Sequence, residues 1–347
     1  MNKLNSCLLI CVSAFTFLGC HKSNPAAIIQ IPNSATVLKL RFSDDNNEIR
    51  VFTNRDIYSV SLKSKKKSIL VRNSKGSTCF SEADDKKNFL YFKDMSIVIA
   101  NKESHKVSST HEHYLFLSDC ELFGGKYAVF TGTTTVDFGV GGLPMVCSIE
   151  NGEIKECFEV SGCELGATWS CAASTTTTTT GYRLAFGHLG GCPVSVIDMK
   201  RTEEGKLNIT NQFNLPEKSE RIALSKDGSR ISLSNDNFLI SYLLSNEGFK
   251  NELVRVPLRS RFSEKSVEKM DFDHSSLATH SIDMSDNGKI VTCSYRTGLV
   301  LVHVDLGKIW SINIPTSAVA LSGNGEFLAA AHKGKIQIYK IPAGWLL

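Results

Sequence analysis

The chain has 347 residues, 42% of them hydrophobic and 21% charged, which is enough apolar material for one large or two ordinary domains. With 39 basic against 35 acidic residues the net charge is +4, a near balance that gives no reason to expect nucleic acid as a partner. Glycine is frequent, serine and threonine are abundant, and no long helical periodicity appears, so the class indicated is all-β.

The first element is a targeting segment. Lys3 supplies a positive start, and Leu8 to Leu18 is an apolar run too short to span a bilayer. Phe17-Leu18-Gly19-Cys20 follows at once. This resembles the lipobox of bacterial lipoproteins, with Phe17 where that family usually has Leu. The resemblance implies a signal peptide over residues 1–19, lipid on Cys20, and a tether over residues 20–27. Buried acyl chains contribute about 0.8 kcal/mol per CH₂, so a multiply acylated cysteine holds a protein to a bilayer stably. His21 rather than Asp follows the cysteine. By the family's sorting habit this implies the outer membrane, facing the periplasm or the cell surface, if the cell is Gram-negative. An ordinary signal peptide that contains a cysteine is the competing reading. Seven extended residues, His21 to Ala27, reach at most about 25 Å, so the folded domain is expected close to the membrane surface.

From Ile28 onwards short apolar runs alternate with turn signals. Val37 to Phe42 alternates apolar and polar residues, as a half-buried strand does. Asp44-Asp45-Asn46-Asn47 is turn chemistry. Ile49–Thr53, Ile57–Leu62 and Ser68–Val71 complete a group of four. The basic run Lys63-Ser64-Lys65-Lys66-Lys67 between the last two reads as a solvated hairpin turn, with contact to a membrane surface as the alternative. A second group takes Cys79-Phe80, Phe89–Phe92, Ile97–Ala100 and Lys106–Ser109. The third runs from about Tyr114 through Tyr127–Thr131 and Met145–Ile149 to Ile154–Val160, with Asn151-Gly152 as a hairpin signal. The fourth takes Ala167–Ala172, Tyr182–Phe186, Val194–Met199 and Leu207–Phe213. The fifth opens at Arg221, the sixth at Ser281, and the seventh at Ala318, which ends one strand short at Ile341.

Seven groups of four strands, at a period of roughly 40–60 residues, are the signature of a β-propeller. The phrase Ser-x-Asp/Asn-Gly recurs between the first two strands of the last three groups, as Ser225–Gly228, Ser285–Gly288 and Ser322–Gly325. It has decayed to Ser43-Asp44-Asp45-Asn46 and Ser81-Glu82-Ala83-Asp84 earlier. At these points the chain resembles the WD-repeat and YVTN-type propeller superfamily, closely over the last 130 residues or so and faintly in the middle. Trp-Asp dipeptides are absent. The missing strand is found at the other end. Ile29-x-Ile31-Pro32-x-Ser34-Ala35 echoes Ile312-x-Ile314-Pro315-x-Ser317-Ala318. Ile28–Ile31 is therefore expected as the outer strand of the seventh blade, against Ile336–Ile341, closing the ring and removing an open edge. This gives a single seven-bladed β-propeller over residues 28–347. The architectural alternative is a pair of all-β sandwiches.

Eight cysteines follow Cys20, and an exported, oxidising setting favours disulfides. Cys147 and Cys157 flank the Asn151-Gly152 hairpin and are the first expected pair; Cys163 and Cys192, on loops of the fourth group, are the second. Cys293 lies on an apolar strand and is expected as a buried thiol.

In a propeller the loops between second and third strands, and the linkers between blades, share one face. That face receives the long elements, and long loops on a rigid scaffold concentrate function. The candidate binding residues there are His111 and His113, Asp137 and Phe138 in the loop 132–143, His188, Arg259, Arg261 and Phe262 in the insertion 258–280, and His280. His111-Glu112-His113 has a spacing that puts both rings on one side of a strand, but no third ligand is fixed, so no metal is assigned. Gly139-x-Gly141-Gly142 opens no helix after a strand, so no nucleotide or other cofactor is assigned either. No Ser-His-Asp order or paired-carboxylate motif stands out. Two functions remain in view: a membrane-anchored, non-enzymatic propeller that scaffolds or recognises a protein in the bacterial envelope, or an envelope enzyme or small-ligand binder with its site at the central channel.

Overall fold

Seven antiparallel four-stranded sheets follow one another along the chain in the computed structural model. It describes residues 24–345 except 33–34, 73–78, 83–87, 94–95, 102–106, 111–113, 135–143, 152, 161–167, 175–180, 189–191, 204–205, 236, 259–280 and 296–297. Blade 1 contains β2 (Val37–Phe42), β3 (Glu48–Thr53), β4 (Ile57–Ser61) and β5 (Lys67–Val71); blade 2 contains β6 (Phe80–Glu82), β7 (Asn88–Lys93), β8 (Ser96–Asn101) and β9 (Val107–Thr110). Blade 3 is β10 (Tyr114–Phe123), β11 (Tyr127–Thr134), β12 (Met145–Glu150) and β13 (Glu153–Glu159); blade 4 is β14 (Thr168–Ala173), β15 (Tyr182–His188), β16 (Pro193–Arg201) and β17 (Leu207–Lys218). Blade 5 is β18 (Arg221–Leu224), β19 (Arg230–Ser234), β20 (Phe238–Ser245) and β21 (Gly248–Pro257); blade 6 is β22 (Ile282–Met284), β23 (Ile290–Tyr295), β24 (Gly298–His303) and β25 (Lys308–Ile312). Blade 7 is built from both ends of the chain, in the order β1 (Ala27–Gln30), β28 (Lys335–Lys340), β27 (Phe327–His332), β26 (Ala318–Leu321). The seven sheets stand as blades in a ring, so the propeller expectation holds.

The closing strand lies where the echo placed it, one residue early. Ala27, Ile28, Ile29 and Gln30 face Ile338, Gln337, Ile336 and Lys335. The alternation explains the register: Ile29 and Ile31 point into the blade and are buried, while Ile28 and Gln30 face out. A slip of one residue would expose both.

Middle strands are sandwiched between neighbouring sheets, which is why they read as near-continuous apolar runs. All six residues of β24 are buried. Outer strands such as β5 and β21 carry exposed polar residues instead. The apolar core is accordingly divided among the seams between blades. One such cluster joins Ile29, Ile336 and Ile338 of blade 7 to Leu40, Val51 and Val60 of blade 1.

The Ser-x-Asp/Asn-Gly turns work by one local circuit. The serine hydroxyl donates to the side chain two residues on: Ser225 to Asp227 at 2.7 Å, Ser285 to Asn287 at 2.9 Å, Ser322 to Asn324 at 2.8 Å. It accepts the amide that begins the next strand, that of Arg230, Ile290 or Phe327. The glycine takes a left-handed φ of 69°, 66° or 73°. Blade 1 runs the same circuit, Ser43 to Asp45 at 2.6 Å, with Asn46 at φ 55° in the glycine's place. Side chains from the second strand then reach into the turn of the following blade. Arg183 donates to the Gly228 carbonyl at 2.8 Å while paired with Asp198 at 2.6 Å.

Candidate functional site

The first strand of each blade is the innermost, and the polar positions of its alternation face the channel rather than solvent. The inner strands of blades 1, 3, 4, 5, 6 and 7 line a cavity of about 210 Å³ at the channel end that carries the Ser-x-Asp/Asn-Gly turns. Its charges come from few places: Lys39 and Arg41 on β2, Asp119 and Glu121 on β10, Asp283 on β22, with Asp44, Lys226 and Asp286 at the mouth.

These groups are paired across the ring. The Lys39 ammonium lies 3.2 Å from Asp119 and 3.9 Å from Glu121, and Arg41 donates to Glu121 at 2.5 Å. Blade 1 is thus tied to blade 3. Blade 2 joins through Ser81, whose hydroxyl oxygen accepts from Arg41 at 3.4 Å and from the Leu122 amide at 2.8 Å. Burial works against the Lys39 charge, but Asp119 and Glu121 outweigh it and hold its pKa above the usual lysine range. Glu121, against burial, does the same for Arg41.

Asp283 has no arginine fork. Its carboxylate accepts the amides of Leu321, from blade 7, at 2.7 Å and of Met284 at 2.9 Å. Burial raises its pKa to about 6, against the lowering effect of those amides and of Arg41 and Lys39. Cys171 is buried beside the same cluster. Burial and the field of Asp119 push its thiol well above the ordinary range, the reverse of what a thiolate nucleophile needs. Cys120 is raised likewise by burial and by its hydrogen bond with Cys79.

Among the sequence-predicted residues, His188 is described, and it is 2% exposed at the end of β15. Its Nε2 sits 3.2 Å from the Ser195 hydroxyl, which donates in turn to Asn214 at 3.0 Å. Burial lowers the His188 pKa from the ordinary histidine value. Cys147 and Cys157 lie directly opposite each other in register and form a disulfide. Cys293 is buried on β23, in contact with Ser234 at 2.8 Å, its thiol pushed up to about 11 by burial. Cys192 is half-buried. Cys20, His111, His113, Asp137, Phe138, Cys163, Arg259, Arg261, Phe262 and His280 lie outside the described residues. Among the described residues no three His, Cys, Asp or Glu side chains converge as metal ligands, and no helix is long and apolar enough to cross a membrane.

The channel charges were not named from the sequence. A signal was present, since a charge on the first strand of a propeller blade is a channel charge, and Lys39, Arg41, Asp119, Glu121 and Asp283 all stand there.

No protein-family model and no curated protein sequence matches the chain. Among solved structures it is similar to the β-propeller domain of Myceliophteria thermophila Cps50 (Swd1), with a TM-score of 0.68 at 13% identity over 92% of this chain and 100% of that one. It is also similar to Kuenenia stuttgartiensis hydrazine synthase, with a TM-score of 0.62 at 12% identity over 90% of this chain and 96% of that one. At these identities the likeness is one of fold: the protein is a seven-bladed β-propeller.

Proposed function

We propose that the protein is a non-enzymatic interaction module of the bacterial cell envelope, held to the membrane by lipid on Cys20 and presenting a rigid propeller to a protein partner. The observation that carries this reading is the pairing inside the channel. Lys39 and Arg41 are neutralised by Asp119 and Glu121 of another blade, so these charges brace the ring instead of standing ready for a substrate. The lipobox-like Phe17–Cys20 supplies the address. The test has two parts. Mass spectrometry of the mature N-terminus should find an acylated Cys20. Cross-linking in intact membranes should then recover one stoichiometric protein partner, equally with wild type and with Asp283→Asn. An unmodified Cys20, or no partner across several cross-linker chemistries, would overturn the proposal.

A second reading is favoured by one specific observation: Asp283, a channel carboxyl titrating near pH 6 beside a polar cavity. On it, the channel takes a small polar ligand. Native mass spectrometry of the freshly purified protein should then show a bound small molecule that Asp283→Asn releases. A clean apo mass would sink this reading.

A further inference from the structure

The chain leaves the propeller at one defined place. Before β1 it runs through Asn24 and Pro25 along the outer rim of blade 7, where the Ala26 amide still donates to the Ile338 carbonyl at 2.7 Å. Four Cα-to-Cα steps lead from Cys20 to Asn24, a reach of about 14 Å when fully extended. A bilayer holding a lipid on Cys20 must therefore lie against this sector of the ring.

Beside that point stands the hairpin turn between β4 and β5. Ala27 of the closing strand and Leu62, at the foot of the turn, pack against the same apolar cluster between blades 7 and 1. Lys63, Lys65, Lys66 and Lys67 follow, all exposed. None of the four forms an ion pair among the described residues, unlike the channel cations; Lys67 Nζ lies 5.0 Å from the centroid of the Tyr58 ring. The turn is held rigidly: the Ser61 amide donates to the Lys66 carbonyl at 3.0 Å, and Lys65 takes a left-handed φ of 56°. The neighbouring carboxylates are otherwise engaged, Glu48 by Arg50 and Asp56 by the Tyr58 hydroxyl.

We propose that the Lys63–Lys67 hairpin is a docking surface for anionic lipid headgroups, seating the propeller on the bilayer that anchors it. The proposal rests on the lipid-anchor reading for its geometry. Each lysine held at an anionic membrane surface adds about fivefold to binding, so four together contribute roughly 600-fold, fading as salt shortens the Debye length. The hairpin thereby fixes which face of the ring the membrane covers. Blades 4 and 5, across the ring, are left towards the partner.

The test uses the full mature protein on vesicles of phosphatidylcholine alone and of phosphatidylcholine with about 30% phosphatidylglycerol. Acetylation rates of the hairpin lysines are compared with those of Lys200 and Lys250, exposed on blades 4 and 5. Protection of the hairpin lysines on anionic vesicles by about fivefold or more, lost in 0.5 M salt, supports the proposal. Equal labelling on both vesicles overturns it. A chain beginning at residue 20 with Cys20→Ser separates this from the anchor. Its sedimentation with anionic vesicles should be lost when the four lysines are changed to glutamine, and binding insensitive to that change also overturns the proposal. An unacylated Cys20 with lysine-dependent vesicle binding would remove the anchor and leave the hairpin; an acylated Cys20 with no protection would do the opposite.

Discussion

Asn46 offers the sharpest test of how the ring is closed. It occupies the left-handed position that glycine fills in blades 5, 6 and 7. It also does something glycine cannot: its Oδ1 accepts the Gly323 amide at 2.8 Å, bridging the turn of blade 1 to the turn of blade 7. The two roles separate by substitution. Asn46→Gly keeps the backbone conformation and removes the bridge. The lost bond is worth about 1 kcal/mol net, and the added freedom of glycine in the unfolded chain costs about 0.5–1 kcal/mol, partly offset by relief of the asparagine's own strain. Asn46→Ala removes the same bond and also forces a Cβ into the left-handed region, for about 1–2 kcal/mol more. Asn46→Asp keeps an acceptor and tolerates the conformation. The expected order of stability is therefore wild type and Asp, then Gly about 1 kcal/mol lower, then Ala about 2–3 kcal/mol below wild type. Urea midpoints at unchanged m-value give the ranking, and hydrogen exchange at the Gly323 amide should quicken in the Gly and Ala variants. A glycine variant as stable as wild type would mean the bridge contributes nothing. Equal losses for Gly and Ala would mean the left-handed turn is not the constraint.

Other sites give independent outcomes. Arg183→Met should cost about 3–5 kcal/mol, because it leaves the buried Asp198 without its partner; Arg183→Met with Asp198→Leu should recover much of that loss, and no recovery in thermal melts would count against the ion-pair account. Asp283 binds its proton more tightly folded than unfolded, since burial raises its pKa to about 6. Its contribution to stability is thus fullest at low pH and falls as pH rises between about 4 and 6. Asp283→Asn should flatten that part of the curve of urea midpoint against pH, and a variant curve parallel to wild type would remove Asp283 as the cause. Replacing Cys147 and Cys157 together by serine opens the ten-residue separation that the disulfide closes and should cost about 3 kcal/mol, read as a loss of midpoint that reductant produces in wild type but not in the variant.

Much of the architecture was legible because the signals are local and repeated. A strand that alternates, a Ser-x-Asp/Asn-Gly turn, and a second strand of continuous apolar residues are each set by nearest neighbours, and the ring multiplies them. Even the closure was readable, since Ile29-x-Ile31-Pro32 copies the phrase that precedes blade 7's own first strand. The channel site was not, for a physical reason. Polar residues on an inner strand face the central channel, and in one dimension they look like polar residues facing bulk solvent. Lys39 and Asp119 are 80 positions apart and become partners only when blade 1 and blade 3 meet across the axis. The candidates legible in one dimension stood on the long loops; of these His188 is described, buried at the end of β15 with its Nε2 3.2 Å from the Ser195 hydroxyl.

The closing strand and the tether are the same piece of chain, and this sets a mechanical condition on the proposed anchor. β1 has four residues, with Ile29 as its buried contact and Ile31 just beyond it. Any pull through Cys20 loads that short strand in preference to the longer ones. Were it to peel away, β28 would become an open edge and the blade 7 seam would lose the packing of Ile29 against Ile336. Two features oppose this from inside the ring: the Asn46 bridge to Gly323, and the Asp283 carboxylate holding the Leu321 amide between blades 6 and 7. Neither lies on β1, so the inner ring stays laced between blades 6, 7 and 1 even when the outer strand frays. A basic hairpin seated on the bilayer beside the same strand shortens the lever through which a pull acts. On this argument the lysine-to-glutamine change, silent for the folded protein in solution, should quicken hydrogen exchange along Ala27–Gln30 once the protein is on anionic vesicles.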